Sequence, residues 1–255
     1  MSDLVAKLFE QELRRRGVEC GFDDEQQRYR VHHCGRELLV SLDNLARDYD
    51  RERDEGCVAS FVDNLLSAYV EQQSWEEMRS SIMFTLEPSD YAEPLPLRTP
   101  ISERVDKVLA VVRVERISFI TPTLVNTWQV SLAELVATAS RNQAAALAAA
   151  KLEHTDIDGM RLGFLGTELP IKAALILAPN LREVVSSVLG WPLCAVIPDR
   201  DFLYLWGSRD RGLLDRVGRT VVKEFTTAPY PITTEVFEIN DDGIKPIGAY
   251  STESV

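Results

Sequence analysis

The chain has 255 residues, 45% apolar and 27% charged, and its 40 acidic against 28 basic residues give a net charge of −12. That length builds a core without disulfide or metal staples, as one large domain or two small ones. The acidic balance repels a phosphate backbone, which speaks against nucleic-acid binding, and no apolar run approaches the ~20 residues of a membrane helix.

The N-terminal stretch MSDLVAKLFEQELRRRG lacks the basic start, apolar centre and small-residue cleavage site of a signal peptide, so the expected location is the cytoplasm. Cys20, Cys34, Cys57 and Cys194 are spaced too irregularly for a zinc ribbon and form no C-x-x-C. In a reducing compartment they read as buried or half-buried thiols.

From Ser2, the spacing predicts a helix with Leu4, Val5, Leu8, Phe9 and Leu13 on one face, stopped by Gly17. Strands come next at Val18 to Phe22 and Arg28 to Cys34 around the polar turn DDEQQ, then a third in ELLV. Ser41 is expected to cap a short helix carrying Leu42, Leu45 and Tyr49. The mixed-charge run 48–55 reads as a solvated helix end or loop. The next helix is the most regular, with Val58, Phe61, Val62, Leu65, Leu66, Tyr69 and Val70 at helical spacing. Ser74 and Glu77 have the spacing of a capping box.

SIMFTLEP reads as a strand ended by Pro88, and the proline-rich stretch after it as a stiff connection. KVLAVVRVE and RISFIT are strand-like, and Ser131 with Glu134 opens a helix expected to turn Leu132, Leu135, Val136 and Ala139 inward. MRLGFLG reads as a strand, PIKAALILA fits strand or helix, and NLREVVSSVLG is a helix with a glycine stop. LCAVIP, DRD and FLYLWG form a hairpin, succeeded by a helix with Leu213, Leu214, Val217, Val221, Val222 and Phe225 on one face. ITTEVFEI and IKPIGAY close the chain as a hairpin around an Asp-Gly turn, with Pro246 marking an edge or a bulge.

Strand, strand, helix occurs twice, at about 107–150 and 193–226. Short strands joined by turns favour antiparallel pairing, so the expected fold class is α+β, with sheets of hairpins backed by amphipathic helices. The expected organisation is an N-terminal subdomain over 1–87, a connection over 88–100, a C-terminal subdomain over 101–250 and a flexible tail over 251–255.

The order of LDNLARDYDRE, LPLRTPISERVDKVLAVV, LCAVIPDRDFLYLWGS and TTEVFEINDDGIKPIGAY resembles the YtpQ-like bacterial family (domain of unknown function 1444), over about residues 37–250. The resemblance implies a bacterial intracellular protein and brings no catalytic residue or cofactor with it.

Three stretches could carry chemistry. In RVHHC, strand alternation puts His32 and Cys34 on one face and His33 on the other. Adjacent histidines so divided cannot share a metal, which needs three or four ligands at one point. In HTDIDG, an extended chain would line up His154, Asp156 and Asp158, the right ligand types for a hard cation, but a calcium loop's later glycine and glutamate are missing. In PDRDFLYLWGSRDRG, Asp199, Arg200, Asp201, Trp206, Arg209 and Asp210 gather around a hairpin and a strand-to-helix junction. Aromatic and arginine side chains are what interface anchors are made of, and these six are the expected binding residues.

No nucleophile elbow, zincin helix or phosphate loop occurs. The expectation is a non-catalytic binding or adaptor protein contacting another protein, with no catalytic residue, metal or cofactor assigned. The alternative is a metal-dependent hydrolase using Asp156 and Asp158 or the 199–210 carboxylates.

Overall fold

The computed structural model describes residues 3–24, 26–33, 36–66, 73–91, 96–114 and 116–252. The fold class is α+β: every strand pairing among them is antiparallel, in sheets of three, four and six strands. The chain forms two compact units, 1–70 and 71–255.

The first unit runs α1 (Asp3–Arg15), β1 (Glu19–Asp23), β2 (Arg28–His33), β3 (Arg36–Val40), α2 (Asp43–Glu52) and α3 (Gly56–Leu66). Helix α1 ends where Gly17 takes φ +70°, a conformation that costs a side chain but not glycine. Its inner face is Val5, Phe9 and Leu13, all fully buried, whereas Leu4 is half exposed. The register pairs His32 with Glu19 on one side and Glu37 on the other. Tyr29 and Val31 point into the core with Val40, Leu45, Val58 and Val62. Tyr69 and Val70, expected to continue α3, lie outside the described residues, as do Ser2 and Cys34.

The second unit opens with α4 (Trp75–Met78), whose Ser74 and Glu77 close the predicted capping box in both directions. Then come β4 (Ile82–Pro88), β5 (Arg98–Pro100), β6 (Val105–Arg113), β7 (Arg116–Phe119), α5 (Pro122–Trp128), α6 (Leu132–Ala149), β8 (Lys151–Ile157) and β9 (Met160–Gly166). A 3-10 segment at Lys172–Leu177 leads into α7 (Leu181–Leu189), β10 (Leu193–Val196), β11 (Tyr204–Gly207), α8 (Gly212–Thr227), β12 (Glu235–Asn240) and β13 (Gly243–Ala249).

The division at 70/71 differs from the expected boundary at 88–100. Strand β4 pairs with β6 along its whole length, Ile82 with Val111 through Pro88 with Val105, so it cannot be parted from the strands after it. The described end of the proline-rich stretch also belongs to this unit: Arg98–Pro100 form β5 against Asp106–Val108.

In the six-stranded sheet, order β13-β12-β10-β11-β9-β8, alternation sorts residues between two cores. Leu193, Ala195, Leu205 and Phe237 face a core shared with α7 and the four-stranded sheet. Cys194, Val196, Trp206 and Val236 face α8 through Leu213, Val217 and Val221. Burial pushes the Cys194 thiol up to about 11.

Three expectations need correction. HTDIDG is not extended throughout: it is the end of β8 and a two-residue turn into β9, with Asp158 and Gly159 both at positive φ. On α6, Leu135 and Ala139 are buried but Leu132 and Val136 are exposed, because the inward stripe runs through Thr138, Gln143 and Leu147. A helix not expected, α5, begins after Thr121, whose hydroxyl accepts from the Leu124 N–H with proline at the first turn.

The outer edge of β4 is closed by a side chain. Gln143, fully buried, accepts from the Phe84 N–H at 3.2 Å and donates to the Ala174 carbonyl at 2.6 Å. Gln143→Leu leaves both backbone groups without this partner. Equilibrium urea unfolding should show a loss of about 2–4 kcal/mol for two unsatisfied buried groups.

Candidate functional site

The six residues expected to bind do not form one surface. Asp199 is buried and holds its own turn, its carboxylate accepting from the Asp201 N–H at 2.8 Å and the Tyr230 N–H at 3.1 Å. Arg200 turns inward, donating to the Glu87 carboxylate at 2.7 Å, with its guanidinium 4.5 Å above the Tyr230 ring. Burial works against its charge, but Glu87 more than offsets this and holds its pKa above the ordinary value. Trp206 is completely enclosed between the sheet and α8, so its ring cannot reach a partner protein. Asp201 is exposed at the turn, while Arg209 and Asp210 sit beyond the opposite end of β11.

The metal candidates are also separated. His154 and Asp156 share a face of β8, but the strand ends at Ile157 and Asp158 leaves the row in the turn. Asp156 lies 3.8 Å from Arg161, and Asp158 pairs with Arg216 at 2.5 Å. His32 stands outward, 3.7 Å from Glu37. Among the described residues, no three His, Cys, Asp or Glu side chains converge to hold a metal.

What folding does assemble is a cleft of about 800 Å³ in the second unit. Its apolar walls are Pro88, Phe225, Pro231, Ile232 and Tyr250, and its polar ones include Arg104, Asp90, Thr233, Thr234 and Ser251. The walls come from the end of β4, the β5–β6 turn, α8, and the flanks of the β12–β13 hairpin. These stretches are distant in sequence, so no local motif announces the cleft.

Hydrogen bonds between these stretches fix the walls. Ser102 donates to the Glu235 carboxylate at 2.7 Å and accepts from the Arg104 and Val105 N–H groups, pinning the turn that carries Arg104. Thr233 also donates to Glu235, at 3.3 Å. Tyr250 donates its hydroxyl to the Leu214 carbonyl at 2.7 Å, and its N–H to the Thr234 carbonyl. Its ring lies against Gly218 of α8, where a Cβ would stand 3.0 Å from it.

Burial raises the Tyr250 phenol to about 12, with the Asp215 carboxylate adding to the effect. The neutral phenol is therefore favoured in the folded state. That contribution is complete below the ordinary value of 10 and is lost as pH rises through about 12. Urea midpoints across that window should fall for the native chain and fall less for Tyr250→Phe.

Comparison with protein-family models, curated proteins and solved structures finds no match for this chain.

Proposed function

We propose that the protein is a non-catalytic binding protein that contacts another protein, receiving an extended segment of it in the cleft of the second unit. The cleft itself carries the reading: about 800 Å³ with proline, phenylalanine, tyrosine and one exposed arginine in its walls. Aromatic and arginine side chains are enriched in interfaces, and grooves lined by aromatics accept extended, proline-containing peptides. Thr233 and Ser102 hold the floor rigid, so little ordering accompanies binding.

The net charge of −12 favours a partner other than nucleic acid, no described helix is long and apolar enough to cross a membrane, and the reading places the protein in the cytoplasm. The hydrolase reading has less behind it, because Asp156 and Asp158 face Arg161 and Arg216 rather than a shared centre.

A photo-crosslinking residue at Ser251 tests this in host cells, against the same residue at Ala133 on the exposed side of α6. A protein adduct from Ser251 alone, lost in Arg104→Glu, is expected. Equal labelling from both positions, or adducts indifferent to Arg104→Glu, would count against the cleft.

A further inference from the structure

A second cavity, of about 290 Å³, lies where the end of α7 meets the end of β11, and it shares no lining residue with the larger cleft. Its size is at the small end of the ~300–1,000 Å³ typical of ligand pockets, which suits a molecule smaller than a drug. Leu189, Trp191 and Pro192 supply apolar walls. Gly207 contributes no side chain, and none would fit: a Cβ there would stand 2.4 Å from the Leu189 carbonyl oxygen.

The indole of Trp191 is held in place. Its N–H donates to Asp241 at 3.0 Å, and Arg182, which itself pairs with Asp241 at 2.9 Å, lies 5.8 Å from the ring centre. A preorganised aromatic wall costs a ligand little ordering on binding.

Arg209 and Asp210 also line this cavity. Among the described residues, neither side chain has a hydrogen bond or an ion pair. Four other arginines around the sheet are engaged: Arg161 with Asp156, Arg182 with Asp241, Arg200 with Glu87 and Arg216 with Asp158. A cation and an anion that the fold leaves unused therefore stand side by side at a cavity with apolar walls. An anionic ligand would satisfy Arg209 and be opposed by Asp210; a cationic one would do the reverse. A molecule carrying both charges satisfies both at once.

We infer that this cavity binds a small zwitterion with an apolar side chain, the chemistry of a free amino acid, with Arg209 taking the carboxylate, Asp210 the ammonium group, and the side chain resting against Trp191. This site is independent of the larger cleft and stands or falls separately from it.

Calorimetry and tryptophan fluorescence on the full chain test it, with leucine, leucine amide and N-acetyl-leucine as probes at millimolar concentration. Leucine should bind. Amidation and N-acetylation should each weaken binding by about tenfold or more, the loss of one charge-assisted hydrogen bond. Arg209→Ala should bind leucine and its amide alike, and Asp210→Asn should bind leucine and N-acetyl-leucine alike. Both side chains reach solvent, and near-ultraviolet circular dichroism verifies that each variant is folded. Three results would each overturn the assignment: no binding of leucine, equal affinity for all three probes, or penalties that persist in the variants.

Discussion

Glu87→Gln should destabilise the second unit by about 3–5 kcal/mol in equilibrium denaturation, the cost of leaving one member of a buried ion pair without the other. Glu87 is 1% exposed and the Arg200 side chain 13% exposed, so little water reaches the charge left behind. The pair joins the end of β4 to the β10–β11 turn, and it does not stand alone. Thr85 donates to the other Glu87 oxygen at 2.9 Å, and the register sets Asp106, itself buried and paired with Arg98, directly opposite Glu87. Arg200→Ala should therefore cost at least as much, since it leaves Glu87 facing the Asp106 carboxylate with Arg98 paired only to Asp106, on the β5 side. Replacing both partners, Glu87→Leu with Arg200→Met, should recover most of the loss, because apolar residues of similar size often match or exceed a buried pair. If the single and double variants are equally unstable, the pair's charge is not what matters.

Trp206→Ala should cost about 3–5 kcal/mol, the range for deleting a large aromatic side chain from a packed core. The indole is fully buried between β11 and α8 among Cys194, Val196, Leu213, Val217 and Val221. Its ring N–H has no hydrogen-bond partner among the described residues, so Trp206→Phe removes no bond and should cost under about 1.5 kcal/mol. Thermal unfolding of both variants measures the contrast. A large loss in the phenylalanine variant would mean the N–H has a role that packing does not explain.

These residues also show what the sequence carries. The 193–207 hairpin and the helix after it are legible because their apolar residues keep one period each, and the structure places both as expected. The hairpin of β8 and β9 is not legible, because β8 is an edge strand. Lys151, His154, Thr155 and Asp156 are all exposed, so the alternation that marks a half-buried strand is absent. Its Asp-Gly turn is the available signal. Leu132 and Val136 mislead because Gln143, needed at the β4 edge, draws a polar position into the buried stripe of α6.

The candidate site is legible only in part. Arg209 and Asp210 stand out in the sequence and line a cavity, but Trp191 beside them does not, since only the approach of α7 to β11 brings it there. Asp199, Arg200 and Trp206 stand out as the types of side chain that build interfaces. The fold uses them instead for a turn, an internal ion pair and a core. Glu87 and Arg200 lie 113 positions apart, and nothing local to either announces the other. The larger cleft has the same character, its walls coming from distant loops.

Crosslinking from Ser251 also supplies the most direct test of binding in the cleft. The partner segment found there is synthesised as a peptide and titrated into the nitrogen-labelled chain. Amide shifts confined to the turn of Arg104, the strand entry at Thr233 and Thr234, and Tyr250 to Thr252, abolished by Arg104→Glu, are the predicted result. Shifts that avoid those residues, or none at saturating peptide, would contradict it.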